Sequence, residues 1–231
     1  MKERRFPDGF LWGTSTSAYQ IEGAYREDGK GLSIWDIFSH RKGKIEDGTT
    51  GDVAADHYHH MGRDVDIMKA LNMRAYRFSV SWPRVMPQGT GAINAKGLDF
   101  YDRLVDSLLE HNIIPFLTLY HWDLPWALHK KGGWRSRKIV SWFGDYTRLL
   151  VKRLGDRVRH WITINEPASI VFAGYLAGLH APGRKNIFQA AAAAHHLLLS
   201  HGEAIRVIKD HDPGHVVGIA NTFNPIHPHG D

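Results

Sequence analysis

The sequence predicts an α/β fold in which buried parallel strands alternate with helices. Three observations carry that prediction. Residues 114–120 form a nearly continuous apolar run, as expected of a strand covered on both faces. Residues 56–71 place Tyr58, Met61, Val65, Met68 and Leu71 on one stripe at helical spacing. Segments of these two kinds then follow one another along the 231-residue chain.

The elements fall in this order. Strand one is expected over residues 11–14, followed by a long loop, 23–51, rich in Gly, Asp and Lys. Helix one covers 56–71 and strand two 74–80. Asn94 is the expected N-cap of helix two, whose stripe is Leu98, Tyr101, Leu104, Val105 and Leu108. Strand three is 114–120 and helix three 138–154. Strand four is 159–164 and ends against Asn165-Glu166-Pro167. Pro167 has no N–H for a sheet ladder, so the strand stops there. Helix four, 187–209, runs through an alanine block; Asp212-Pro213-Gly214 turns the chain into strand five, 216–220. No linker or shift of composition divides residues 1–231, which predicts a single domain. A βα repeat of this kind fits a doubly wound sheet or a (β/α)8 barrel, and periodicity alone does not choose.

Composition narrows the function. Hydrophobic content of 43% and charged content of 23% fit a soluble globular chain. No run of 18 apolar residues is present, so no membrane-spanning helix and no membrane partner are expected. Met1 to Asp8 lacks an apolar segment behind its charges, so no secretory leader is expected and a cytoplasmic location is. With no cysteine, disulfides, thiol nucleophiles and thiolate metal sites are excluded. The net charge of +5 is spread through helical segments beside acids, as in Arg63-Asp64 and Asp102-Arg103, which argues against nucleic acid. No Gly-x-Gly-x-x-Gly or phosphate loop follows any strand, which lowers the expectation of a nucleotide. No cofactor and no structural metal are expected; His211, His215, His227 and His229 are at most an adventitious metal site.

Chemistry gathers at the ends of the strands, where barrels and open α/β sheets place it. Phe10-Leu11-Trp12-Gly13-Thr14-Ser15-Thr16-Ser17-Ala18-Tyr19-Gln20-Ile21-Glu22-Gly23 comes first, then Tyr76-Arg77-Phe78-Ser79-Val80-Ser81-Trp82. Leu117-Thr118-Leu119-Tyr120-His121-Trp122-Asp123-Leu124-Pro125 and Gly132-Gly133-Trp134 follow. Asn165-Glu166-Pro167 and His180-Ala181-Pro182-Gly183 complete the series. In order and spacing these motifs resemble glycoside hydrolase family 1, the β-glucosidase-like retaining enzymes. The resemblance covers nearly the whole chain and selects the barrel: a partial (β/α)8 TIM barrel with strands one to five and helices one to four. That family needs roughly twice this length, so the N-terminal half is expected here.

The resemblance implies roles for particular residues. Retaining hydrolysis needs two carboxyl groups about 5–5.5 Å apart, one to protonate the leaving oxygen and one to attack the anomeric carbon. Glu166 matches the general acid/base. The family's nucleophile follows strand seven and is expected to be missing; Asp123 belongs to a structural turn where its carboxylate is expected to accept backbone N–H groups. Gln20, His121 and Asn165 match residues that bind hydroxyls of the non-reducing sugar, a role their paired donor and acceptor chemistry suits. Trp122 is expected to face the C–H side of the sugar. Arg77 matches the arginine that steadies the nucleophile. Ala168 stands where the family usually has a tryptophan, and Pro83 where a serine is common. Strict alternation puts Asn165 and Glu166 on opposite faces of strand four, so both reach one site only if the chain turns at Glu166.

The expected substrate is therefore a β-glucoside or related sugar, and the chain alone is expected to hydrolyse it very poorly. Two rival readings stay open. A half-barrel exposes apolar side chains that would take up a flat, porphyrin-like ligand or self-associate. Alternatively the chain is one subunit of a two-chain glycosidase, completed by a C-terminal half.

Overall fold

The computed structural model describes residues 5–223 and 225. Five strands, β1 (Gly13–Ser15), β2 (Ala75–Ser79), β3 (Ile114–Tyr120), β4 (His160–Asn165) and β5 (Val216–Ala220), form one sheet in sequence order. Every neighbouring pair is parallel. Four long helices connect them: α1 (His57–Ala70), α2 (Ala95–Glu110), α3 (Lys138–Leu154) and α4 (Ile187–His211). The ranges expected for the third and fifth strands and for the third helix match β3, β5 and α3 residue for residue.

β1 begins two residues later than its apolar run implied, and glycine chemistry explains the shift. A Cβ on Gly13 would lie 2.6 Å from the Ala75 carbonyl oxygen, so only glycine allows β1 this close to β2. Leu11 and Trp12 instead stay exposed, and Trp12 meets Phe6 and Phe10 edge-on at 4.6 and 5.0 Å.

Residues 23–51 are not loop throughout. Ile34–Ser39 is a helix closed by a capping box. The Ser33 N–H donates to Asp36 Oδ2 at 2.6 Å, and the Asp36 N–H donates to Ser33 Oγ at 3.0 Å. The signal was a Ser-x-x-Asp spacing, weaker than the usual Ser-x-x-Glu. Asn94 precedes α2 but its side chain does not cap it. Its amide donates to the carbonyls of Asp28 and Arg84, each at 2.8 Å, tying α2 to the helical turns Glu27–Gly29 and Trp82–Val85.

The core lies between the sheet and the helices. α3 carries Phe143, Tyr146 and Leu150 inward, and α4 contributes Ala193, Leu197, Ala204 and Ile208. Gly144 lets α3 lie close against α4, where an added Cβ would lie 3.0 Å from Glu203. Trp82 is fully buried and stacks on Tyr146 at 4.6 Å. The Tyr146 hydroxyl donates at 2.9 Å to the Leu119 carbonyl and lies 3.2 Å from that of Val80. One side chain thus joins the ends of β2 and β3, the rim that carries the motifs. His215 is buried and bonds the Gly155 carbonyl at 2.9 Å, while His227 and His229 lie outside the described residues.

Candidate active site

The motif residues converge at the C-terminal ends of β1 to β4. Arg77 leaves β2 and reaches across β3. Its Nε donates to Thr118 Oγ1 at 3.0 Å and its Nη2 to Asn165 Oδ1 at 2.5 Å. With its oxygen occupied, the Asn165 side chain is left with its N–H groups, which lie near enough to Glu166 to lower its carboxyl. Asn165 itself is 3% exposed, and its backbone carbonyl accepts the Trp122 indole N–H at 2.9 Å.

The chain turns at Glu166, as the alternation of β4 required. Glu166 has φ 49° and ψ 64°, left-handed backbone that a non-glycine residue holds only when its surroundings impose it. Its N–H donates to the Ala220 carbonyl at 2.7 Å, and Pro167 opens a short helix immediately after. Asn165 and Glu166 therefore come to the same end of the sheet. Trp122 is left-handed too, at φ 82°. Each such residue costs on the order of 1–3 kcal/mol, and both stand at this rim.

Gln20, His121 and Trp122 line one cavity of about 390 Å³ with Ser17, Tyr19, Trp35 and His180. Trp122 and Trp35 are nearly parallel, 16° apart with ring centres at 6.5 Å, and the His180 ring lies 5.3 Å from Trp122. Gln20 is exposed and accepts the Ser17 hydroxyl at 2.6 Å. Trp35 and His180 were not among the expected ligands. Trp35 was hidden in a stretch read as loop; His180 stood in a quoted motif without an assigned role.

Electrostatics sort the titratable groups. Burial, reinforced by the charge of Arg77, pushes His121 down to about 4, so its imidazole is neutral near pH 7. A neutral ring both donates and accepts, and the buried His121 Nδ1 has no partner within the protein. Burial also lowers Arg77, against the opposing pull of Glu166. For Glu166, burial raises the carboxyl, but hydrogen bonds from Thr222, Ser169 and Asn165 outweigh it, helped in acid by His121; the net shift is downward. The Ser169 hydroxyl bonds Glu166 Oε2 at 2.9 Å. Ala168, beside it, is exposed.

Asp123 departs from expectation. It is buried, and no donor reaches full hydrogen-bond geometry at either carboxylate oxygen, although the Ser81 hydroxyl and its own backbone N–H lie near enough to pull the carboxyl down. Among the described residues no group of three or more His, Asp or Glu side chains is placed to hold a metal ion. No helix among them is long and apolar enough to cross a membrane.

The profile described as Glycosyl hydrolase family 1 matches residues 2–231. The chain belongs to glycosyl hydrolase family 1. Beta-glucosidase A of Thermotoga maritima is 52% identical over 210 residues, 91% of this chain and 47% of its own. Beta-glucosidase A of Acetivibrio thermocellus is 50% identical over 228 residues, 99% of this chain and 51% of its own. The structure of the β-glucosidase from Thermotoga maritima in complex with castanospermine superposes with a TM-score of 0.96 at 50% identity. That match covers 98% of this chain and 51% of the other. The five strands and four long helices are thus a partial (β/α)8 barrel, and the chain spans about half the length of the relatives it matches.

Proposed function

We propose that this chain supplies the acid/base carboxyl and part of the sugar-binding cavity of a retaining β-glucosidase. Glu166 is the acid/base. Gln20, His121 and Asn165 bind sugar hydroxyls, Trp122 covers an apolar face, and Arg77 orients the nucleophile. One observation carries the reading: Glu166 and Asn165 turn together into the rim beside a cavity walled by Trp122, Trp35 and His121. Relatives that share half their length with this chain are named β-glucosidases.

The charge state of Glu166 shapes the proposal. A general acid must hold its proton near neutral pH, and burial or a neighbouring carboxylate raises it. None of the leading influences on Glu166 is a second carboxylate, and its shift is downward. Alone, the chain holds Glu166 as a base. The nucleophile then has to come from a complementary segment, which would bring a negative charge within about 5–5.5 Å and lift Glu166 into its acid role.

The same proposal extends to partners. β1 and β5 are the edges of the sheet among the described residues, and neither has a fully buried residue. Their unpaired peptide groups are templates for another parallel strand, from a complementary half or a second copy. Sedimentation at micromolar concentration tests this; a single species at 26.2 kDa would contradict it.

The sugar site is tested by titrating 1-deoxynojirimycin against tryptophan fluorescence. Binding is expected to weaken about tenfold in His121→Ala, the loss of one hydrogen-bonding group, near 1.4 kcal/mol. Binding that is absent, or unchanged by both His121→Ala and Gln20→Ala, would place the sugar elsewhere.

A further inference from the structure

Beside the sugar cavity lies a second, much smaller chamber, and Tyr19 lines both. Its other walls include Glu22, Lys30, Ser33, Asp36, Ser81 and Asp123. The free space is about 10 Å³, the room a single water takes up.

Three carboxylates line the chamber, and two have cationic partners. Arg84 Nε donates to Glu22 at 2.8 Å and Lys30 Nζ to Asp36 at 3.1 Å. Asp123 forms no ion pair and no hydrogen bond of full geometry, although it is only 1% exposed; Lys30 and Ser81 act on it from across the chamber. A buried carboxyl in that position is stabilised by a water that donates to it, or by a proton of its own.

Asp123 also sits where it can act on the sugar cavity. The chain is tied on one side of it, where the Ile34 N–H donates to the Leu124 carbonyl and the Trp126 N–H to the Leu32 carbonyl, both at 2.8 Å. It is tied on the other through Tyr146 and the Leu119 carbonyl. Between these ties Trp122 holds its left-handed backbone, and the Asp123 side chain is the next one along.

We infer that the chamber is a site for one internal water, and that Asp123, bonded to that water, is a positioning residue that sets the turn carrying His121 and Trp122 into the sugar cavity. The inference rests on the sugar cavity of the proposal above. Burial pushes the Asp123 carboxyl up to about 7. The Ser81 hydroxyl and Lys30 pull it down, Glu22 pushes it up, and Ser81 does so without reaching hydrogen-bond geometry. Tyr120 and Tyr146 also feel its charge, and Asp36 lines the same chamber. Below neutral pH Asp123 is a neutral acid that both donates to and accepts from the water. Above it, a bare carboxylate faces Glu22, and the turn adjusts.

The test follows the Trp122 indole and His121 ring resonances by NMR from pH 5 to 9, with no sugar present. Wild type is expected to show a shift with a midpoint near pH 7. His121 does not itself titrate there, since its own value is about 4. Asp123→Asn, an isosteric neutral side chain, should hold both resonances at their low-pH positions throughout. Asp123→Ala should displace them at every pH; where it does not fold, Asp123→Asn carries the test alone. A midpoint that persists in Asp123→Asn would assign it to another group, such as His180, and overturn the inference. So would a flat wild-type profile, or Asp123→Asn displaced at low pH. A water-to-protein cross-relaxation signal at the Ser33 or Ser81 amide is expected, and its absence overturns the water. Adding 1-deoxynojirimycin separates the two claims: failure to bind sinks the sugar reading and leaves the titration standing.

Discussion

Breaking the Glu22–Arg84 pair should be the most damaging polar change in this half of the barrel. Arg84 is 0% exposed and Glu22 3%. Glu22 accepts Arg84 Nε at 2.8 Å and the Tyr101 hydroxyl; Arg84 also donates to the Gly23 carbonyl at 3.0 Å and lies 4.1 Å over the Tyr58 ring. Glu22 directly follows the short helix Ala18–Ile21 that presents Gln20, so the pair also anchors one wall of the sugar cavity. Arg84→Met leaves a buried carboxylate with one neutral donor, and Glu22→Leu leaves a buried guanidinium with one carbonyl. Each should cost about 3–5 kcal/mol, the range for removing one partner of a buried pair. For a chain of this size that is a fall in Tm of roughly 6–20 °C. The double variant, which removes both charges, should cost far less than the sum of the singles. Urea unfolding of all four proteins completes the cycle. Single losses below about 1 kcal/mol, or strictly additive ones, would refute the reasoning.

Other predictions can be checked alongside. Asp123→Asn should flatten the dependence of stability on pH. A carboxyl raised to about 7 in the folded state binds its proton more tightly there than when unfolded, so wild-type stability falls as pH rises from about 4 through 7. The difference approaches about 4 kcal/mol at pH 8 as an upper bound, and parallel profiles would contradict it. Glu166 has the opposite sign: its lowered carboxyl stabilises the fold above its ordinary range, and that contribution is lost as pH falls through its folded value. A carboxyl carbon titration midpoint above that of a free glutamate would overturn it. Tyr146→Phe removes the hydroxyl that serves Leu119 and Val80 and should cost about 1–3 kcal/mol by unfolding; a neutral result would mean β2 and β3 are held elsewhere.

Much of this fold was legible because it is local. β3 reads as one apolar run, and the strand runs over the residues that run marks. The edges of other elements were not, because tertiary contacts set them: β1 starts where Gly13 lets two strands approach, which no propensity encodes. The Ile34–Ser39 helix was missed because its capping box uses a short Asp and its flanks are Gly and Lys. At the site, the turn at Glu166 followed from the alternation of β4 and Pro167 once the family resemblance had assigned Asn165 and Glu166 to one site. The walls did not follow so easily. Trp35 comes from a segment distant in sequence, and the unpartnered state of Asp123 depends on how Glu22 and Asp36 consumed the nearby cations. Neither fact has a local signature.

The central proposal is that Glu166 is the acid/base of a β-glucosidase whose nucleophile is not among residues 1–231. Mixing the chain with a C-terminal half of a family 1 β-glucosidase, and following aryl β-glucosides, tests it most directly. Turnover should require both halves. Glu166→Ala should abolish it for poor leaving groups and leave activated ones able to form the glycosyl-enzyme, with azide restoring its breakdown. Turnover that survives Glu166→Ala on poor leaving groups would contradict the account.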